Sequence, residues 1–183
     1  KVKKQVNIFK NKNIGIVSTN FYIMNENKNS TWIYNKFPKS NFNSLDMQLK
    51  DYRVGLLTLM IRREALASLN YLVNENYHII GDFDLVIRLI SIWEFKYIHE
   101  PLAYYRIHDN NESTTKIEKQ IAELNNWIND KNLSNTIRSN KYFRFVSIKI
   151  NYLEAIHALL SLNKFAAFKI FLKMPLCIKK MKI

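Results

Sequence analysis

The sequence of 183 residues contains one cysteine, three glycines and three prolines, and only 15 acidic residues against 28 lysines and arginines. A single cysteine, Cys177, excludes an internal disulfide and a zinc site built from several cysteines of this chain. No apolar run approaches the roughly 20 residues that a membrane-spanning helix needs, and the basic first dozen residues lack the apolar segment of a signal peptide. We therefore expect a cytoplasmic chain that is soluble or bound peripherally to a membrane.

The apolar residues that are present, 48% of the chain, are sufficient for the core of one domain with a helical appendage. The chain does not begin with Met, so we expect it to be a piece of a longer protein or a chain that lacks its processed start. Its formal charge of +13 is unevenly placed, because residues 116–183 contain 13 basic and 4 acidic residues while residues 1–115 contain 15 and 11. A basic tail suits nucleic acid, anionic lipid or an acidic partner, and its charge alone does not distinguish them.

Hydrophobic periodicity predicts strands that alternate with helices in the first part of the chain and helices alone in the tail. The predicted elements are an amphipathic helix over 1–12 with Val2, Val6 and Phe9 on its apolar face, a buried strand over 14–24, an Asn-rich turn, a hairpin strand over 31–34, a short helix within 38–50, a central strand over 56–61, helices over 64–69 and 82–94, a strand over 102–108, and helices over 117–130, 140–162 and 164–173.

Two carboxylates begin the helix predicted over 82–94. Residues two positions apart point about 200° apart around a helix, so one of them must lie at the helix entry. We predict Asp82 at the N-cap or just before it, and Asp84 in the first turn, paired with Arg88 one turn later. A cap and an ion pair explain both carboxylates structurally, and catalysis is the alternative explanation.

Alternation along the strand predicted over 102–108 places Arg106 and His108 on one face with Tyr104, and Tyr105 on the other. An arginine beside a histidine suits a phosphate or carboxylate site, because Arg donates two parallel hydrogen bonds and His donates or binds a metal. A surface role for the histidine is the alternative.

Five short motifs follow one another in the first 113 residues. They are Lys1-Val2-Lys3-Lys4-Gln5, Ile14-Gly15-Ile16-Val17, Met60-Ile61-Arg62-Arg63, Gly81-Asp82-Phe83-Asp84-Leu85, and the run from Pro101 to Ser113. In this order they resemble the acceptor-side half of a family 2 glycosyltransferase of the GT-A fold, which transfers a sugar from a nucleotide-sugar donor to an acceptor hydroxyl. The resemblance implies a mixed α/β fold, with a partial GT-A-type sheet flanked by helices over 1–113 and an all-helical extension over 114–183.

The resemblance also implies roles for individual residues. Asp82 would be the catalytic base of an inverting displacement, and Asp84 a supporting carboxylate. The other implied positions are Tyr105, Arg106 and His108 near the donor diphosphate and its metal, with His108 as a metal ligand, and Thr58 and Arg62 near the acceptor. The complete enzyme would use a divalent cation, Mg²⁺ or Mn²⁺, and none is expected bound to this piece.

The implied partners of the complete enzyme are a nucleotide sugar and a sugar or lipid-linked acceptor, in bacterial cell-surface polysaccharide or glycolipid synthesis. The 183 residues contain no nucleotide-binding βαβ start and no Gly-rich phosphate loop, and the metal-binding Asp-x-Asp of the donor half is absent, since Asp82-Phe83-Asp84 belongs to the fourth motif. We therefore expect the piece to be inactive alone. Half of a GT-A sheet also leaves an unpaired edge, so we expect self-association or cover by the tail.

The tail supports two alternative functions. Five phenylalanines and six of the lysines in residues 140–183 form a combination typical of peripheral contact with the inner face of a membrane. The same phenylalanines would equally form the tail's own core. A non-catalytic helical interaction or membrane-docking module is thus one alternative, and a nucleic-acid-binding module is the other. No nucleic-acid reader motif is present, so we expect no nucleic-acid partner.

Overall fold

The computed structural model describes residues 1–25, 29–35, 42–108 and 116–173, which form a four-stranded mixed sheet with surrounding helices. The elements are α1 (Val2–Ile8), β1 (Ile14–Asn25), β2 (Ser30–Ile33), α2 (Leu45–Lys50), a 3₁₀ turn (Leu56–Thr58), β3 (Met60–Ile61), α3 (Arg63–Ala67), α4 (Gly81–Ile90), β4 (Glu94–Ile107), α5 (Ile117–Asn129), α6 (Asn135–Arg138), α7 (Arg144–Leu160) and α8 (Lys164–Lys173). The predicted mixed α/β class is confirmed.

Strand β1 is the centre of the sheet. β4 runs parallel to it from Ile14 to Asn25, while β2 and β3 run antiparallel along its other edge. The first eight residues of β1 are buried, as expected for an apolar strand covered on both faces. The predictions of a buried strand over 14–24 and a hairpin strand over 31–34 are confirmed.

The prediction of a central strand over 56–61 is wrong. Leu56–Thr58 form a 3₁₀ turn, and only Met60–Ile61 pair with β1, at its edge. The hydroxyl of Thr58 donates to the carbonyl of Gly55 at 2.8 Å. A side chain that bonds the backbone three residues earlier closes a turn and competes with the ladder of a strand.

Helix α1 is present but shorter than predicted, and its buried side is not the apolar one. Val2 and Val6 are 58% and 52% exposed, whereas Gln5 is fully buried. The Gln5 amide donates to the carbonyl of Thr58 at 2.7 Å and to that of Val17 at 3.4 Å. A polar side chain makes the buried contacts of this helix, so apolar periodicity predicted the wrong face as the buried one.

Helix α4 ends at Ile90, four residues before the predicted end, and β4 begins at Glu94, earlier than the strand predicted over 102–108. The connection passes very close to β1. A Cβ added at Gly15 would lie 2.6 Å from the Cβ of Trp93. Glycine at position 15 is therefore what allows β1 to pass under this turn.

The core has two clusters, and α4 contributes to both. One packs Ile16 of β1 and Phe95 of β4 against Leu89. The other packs Phe83 of α4 against Trp127 of α5 and further side chains of the tail. The first part of the chain and the tail therefore share an apolar core, while the division into 1–113 and 114–183 stays a prediction.

The tail is helical as predicted. α5 and α8 match the helices predicted over 117–130 and 164–173, and the helix predicted over 140–162 begins later, as α7. In the described part of the chain, none of the helices combines the length and apolar character needed to cross a bilayer. The predicted turn at 26–28, the end of the motif at 109–113, Cys177 and the last three lysines lie outside the described residues.

Candidate functional site

The start of α4 is held by a carboxylate from the tail. The N-cap of α4 is Ile80, so the prediction of Asp82 as the cap is wrong, and Asp82 is instead the second helical residue. Glu123 of α5 accepts hydrogen bonds from the backbone N–H groups of His78, Ile79 and Ile80 at 3.0, 2.8 and 3.1 Å. An anion at this position also faces the positive end of the helix dipole.

Asp84 is a buried carboxylate with both oxygens occupied. It is 1% exposed, and its Oδ2 accepts from Nε and Nη2 of Arg88 at 2.9 and 2.7 Å. Its Oδ1 accepts from the indole N–H of Trp127 at 3.0 Å. Arg88 also donates to the carbonyls of Tyr71 and Leu72. The predicted pair between Asp84 and Arg88 is confirmed, and the pair ties α4 to the preceding loop and to α5.

Asp82 faces a different environment, as predicted for a residue two positions away. It is half-buried; its Oδ1 accepts from the backbone N–H of Phe83 at 2.7 Å, and its Oδ2 lies 3.5 Å from the hydroxyl of Tyr52. Burial raises the pKa of Asp82, and the Phe83 N–H, the Lys149 ammonium and the Tyr52 hydroxyl oppose that rise. Asp82 is therefore a stronger base than an ordinary aspartate and is only weakly held at Oδ2.

Local patterns in the sequence do not indicate two side chains that act on Asp82, namely Tyr52 and Lys149. Tyr52 follows α2, and its ring packs edge-on against Phe83 with centroids 5.2 Å apart. Burial and the adjacent Asp82 raise the pKa of Tyr52 well above its usual value, so it remains a neutral hydrogen-bond donor.

Lys149 lies on α7, and its ammonium group interacts electrostatically with Asp82. Although this residue keeps exposed surface, the protein around its ammonium group lowers the pKa of Lys149, while the carboxylates of Asp82 and Asp51 raise it. The proximity of Tyr52 and Lys149 to Asp82 depends on how α2 and α7 pack on α4, and apolar periodicity does not reveal such packing.

The residues assigned to the donor side lie at the end of β4. The side chains of Arg106 and His108 are exposed on the same face as Tyr104. Tyr105 lies on the other face, with its ring 6.2 Å from that of Phe21. The predicted alternation is therefore present, and the exposed face carries an arginine, a histidine and an aromatic ring.

The two residues assigned to the acceptor side bind the backbone and interior of the fold. Thr58 is fully buried, with its hydroxyl 2.6 Å from that of Ser18. Arg62 donates to the carbonyls of Ile14 at 2.9 Å and of Phe9 at 2.6 Å. These contacts join α1 and the 3₁₀ turn to the start of β1.

The structure separates these two groups of residues. The backbone N–H of Arg62 binds the carbonyl of Gly15, whereas Arg106 lies beside Met24 at the other end of β1. The distance along the strand between Gly15 and Met24 is about 30 Å, at roughly 3.3 Å per residue. No single sugar unit contacts both ends, so Arg62 and Arg106 do not belong to one sugar-sized site.

A metal site is not formed by the described residues. Among residues 1–25, 29–35, 42–108 and 116–173, no three His, Cys, Asp or Glu side chains converge on one point. The oxygens of Asp84 are taken by Arg88 and Trp127. Mg²⁺ and similar cations need several oxygen ligands, and the described residues do not gather such a set. The role of His108 as a metal ligand stays a prediction.

An open groove of about 640 Å³ lies at the opposite end of α4, where Ile90 and Trp93 contribute to its wall. Asp46 and Lys141 also line the groove, with the Asp46 carboxylate 3.8 Å from the Lys141 ammonium. Asp82 is not among its lining residues. The groove and the carboxylate with the raised pKa therefore lie at different ends of α4, and we assign the candidate chemistry to the Asp82 end.

The fold and the site define a mixed α/β chain with a half-buried carboxylate near the start of a buried helix. No protein-family model matches the chain, and no curated protein matches it. The resemblance to family 2 glycosyltransferases therefore stays an expectation from the five sequence motifs.

Proposed function

We propose that this chain is the acceptor-side part of a glycosyltransferase of the family 2, GT-A type. The reaction is the transfer of a sugar from a nucleotide-diphosphate sugar to an acceptor hydroxyl, with inversion. The observation that carries the proposal is the difference between the two carboxylates at the start of α4. Asp84 is saturated with hydrogen bonds, whereas Asp82 is half-exposed and has a long contact of 3.5 Å at Oδ2.

In the proposed reaction Asp82 accepts the proton of the acceptor hydroxyl. The hydroxyl oxygen forms a bond to the anomeric carbon, the bond from that carbon to the diphosphate breaks, and the nucleoside diphosphate leaves with the electron pair. A raised pKa supports this role, because a general base works best when its pKa approaches the operating pH. Tyr52, as a neutral phenol, would orient the carboxylate through Oδ2.

The leaving diphosphate requires positive groups and hydrogen-bond donors. Arg106 and His108 supply these on the exposed face of β4, and Arg binds phosphate oxygens through two parallel hydrogen bonds. A divalent cation, Mg²⁺ or Mn²⁺, would neutralise charge on the diphosphate when bound. Thr58 and Arg62 are engaged within the fold, so we propose that the acceptor approaches Asp82 from the side of Tyr52 and Lys149.

We propose that the acceptor belongs to bacterial cell-surface polysaccharide or glycolipid synthesis and is met at the inner face of the cytoplasmic membrane. The basic tail supports this location, because lysines are attracted to the anionic inner surface of the membrane. A lipid-linked acceptor would be found at the same surface.

The test is a transfer assay with the full-length protein that contains this chain. It is offered a panel of nucleotide-diphosphate sugars with an extract of lipid-linked saccharides, and nucleoside diphosphate release and product configuration are measured. The proposal predicts release that requires both donor and extract, and a product whose anomeric configuration is opposite to that of the donor. Absence of any donor consumption, or retention of configuration, contradicts it.

A further inference from the structure

The hairpin of α7 and α8 carries an unusual concentration of exposed apolar side chains. Of the 16 large apolar residues that are exposed in the described part of the chain, seven lie between positions 159 and 172. Leu160, Leu162, Phe165 and Phe168 are 67%, 83%, 69% and 58% exposed. Scattered single exposures are ordinary, but a contiguous group of this kind marks an interaction surface.

Leu160, Leu162, Phe165 and Phe168 stay more than half exposed although the two helices pack together. α7 and α8 are in contact, and the buried residue of α8 is Ala167. Ala155 is buried on α7 at a similar distance from the turn. Small residues allow two helices to approach closely, so the phenylalanines of α8 remain on the outer side of the hairpin.

The turn between the helices provides a second, independent observation. Leu162 has a backbone φ of 59° and, among the described residues, is the most exposed large apolar side chain. A non-glycine residue is disfavoured in this left-handed region, and glycine or asparagine is preferred at such a helix end. An exposed leucine with this backbone conformation is therefore unfavourable for the isolated fold. Its presence at the tip favours a role for Leu162 in contact with another surface.

The hairpin around the apolar group carries basic residues. Residues 155–172 contain two lysines, Lys164 and Lys169, and no acidic residue. At 100° per residue, Phe165, Phe168 and Leu172 fall within an arc of about 60° on α8, and Lys169 borders it. The Lys169 ammonium lies 4.5 Å from the centroid of the Phe165 ring. Such a lysine extends its stem along apolar surface and holds its charge at the edge.

We propose that the α7–α8 hairpin docks on an anionic membrane surface. Leu162, Phe165 and Phe168 enter the boundary between acyl chains and headgroups, and the lysines contact anionic headgroups. A lipid surface satisfies both the apolar and the basic groups, whereas a second copy of the chain would bring two basic hairpins together against like-charge repulsion. The proposal does not depend on sugar transfer.

The structure also narrows the docking region predicted over 140–183. The ring of Phe143 stacks on Trp127 with centroids 5.7 Å apart, and Phe145 is half-buried beside Tyr142 with centroids 5.6 Å apart. These two phenylalanines serve the fold. The docking surface is therefore the tip of the hairpin and α8.

The experiment is co-sedimentation of the chain with phosphatidylcholine vesicles that contain or lack phosphatidylglycerol, at low and high salt. We expect binding to the mixed vesicles at low salt, release at high salt, and little binding to phosphatidylcholine alone. Lys169→Glu should weaken binding by at least about fivefold, since each basic residue near such a surface contributes about 1 kcal/mol. Lys131→Glu makes the same change of net charge at an exposed site outside the hairpin and should leave binding near the wild-type value.

The apolar group is tested with the triple variant Leu162→Asn, Phe165→Ser, Phe168→Ser, and Leu72→Ser, at an exposed leucine far along the chain, is the control. The triple variant should keep its circular dichroism spectrum and lose vesicle binding, and the control should keep both. Equal binding to neutral and anionic vesicles, or full binding by the triple variant, overturns the proposal. A wild-type dimer in light scattering that the triple variant abolishes, without vesicle binding, assigns the surface to a second copy and also overturns it.

Discussion

The indole N–H of Trp127 donates to Oδ1 of Asp84 over 3.0 Å, and this bond joins a tail helix to the start of α4. One turn earlier on α5, Glu123 accepts from three consecutive backbone N–H groups in front of α4. The tail helix therefore fixes the segment that carries Asp82. The geometry of the candidate site depends on residues well outside the motifs that suggested it.

Trp127→Phe should destabilise the protein while keeping most of the apolar packing. The substitution removes the donor to a buried carboxylate oxygen, and a buried acceptor without its partner costs about 1–3 kcal/mol. Urea unfolding measures the change in free energy. Trp32→Phe, at a side chain that is 37% exposed, is the control and should change stability little. Equal stabilities of the two variants would refute a structural role for the indole bond.

Glu123→Gln should loosen the start of α4. The amide group replaces one acceptor oxygen with a donor, so it cannot satisfy all the backbone N–H groups of residues 78–80. We expect faster amide hydrogen exchange at His78, Ile79 and Ile80. Glu75→Gln, at an exposed position, should leave exchange there unchanged. Protection that stays at the wild-type level in Glu123→Gln would argue against capping by α5.

Lys149→Gln should raise the pKa of Asp82 further. The ammonium group opposes the effect of burial on this carboxyl, together with the Phe83 N–H and the Tyr52 hydroxyl, and Asp51 also faces Lys149. A carbon-detected NMR titration of the side-chain carboxyls measures the change. Lys149→Arg keeps the charge and should keep the pKa, and Lys141→Gln controls for net charge. A lower or unchanged Asp82 pKa in Lys149→Gln is the contrary result.

The raised pKa of Asp82 also predicts a pH dependence of stability. The folded state binds this proton more tightly than the unfolded chain, whose reference pKa is 3.8. The stabilising contribution of Asp82 is therefore fully present below pH 3.8 and is lost as the pH rises through the folded-state pKa. Asp82→Asn has no such titration, so its stability relative to wild type should rise across this window and then level off. Urea unfolding at a series of pH values checks this; a difference that falls with pH contradicts it.

Several elements could be predicted because a local pattern determines them. The segment from Ile14 to Phe21, which begins with the apolar run Ile-Gly-Ile-Val, forms a strand that is buried on both faces. α5 and α8 agree with helical periodicity to within a residue. The pairing of Asp84 with Arg88 follows from their spacing of one helical turn.

Other features depend on contacts between distant segments. The residues Leu56–Thr58 are as apolar as those of a strand, but the hydrogen bond from the Thr58 hydroxyl to the Gly55 carbonyl stabilises a turn. Glu123, and not Asp82 as predicted, accepts hydrogen bonds from the N–H groups before α4. About 40 residues separate Glu123 from these N–H groups. Tyr52 contacts Asp82 and Lys149 interacts with it electrostatically because α2 and α7 pack near α4, and no local sequence pattern indicates that packing.

The central claim is that Asp82 is the base and Asp84 a structural carboxylate. The most direct test compares turnover, donor affinity and unfolding free energy of Asp82→Asn and Asp84→Asn in the full-length protein. We predict that Asp82→Asn lowers turnover by about 10²- to 10⁴-fold, the usual cost of losing a general base, with donor affinity and folding nearly unchanged. Asp84→Asn should instead lower stability by about 3–5 kcal/mol, because it breaks a buried ion pair. Near-full turnover in Asp82→Asn, with turnover abolished in a folded Asp84→Asn, would contradict the account.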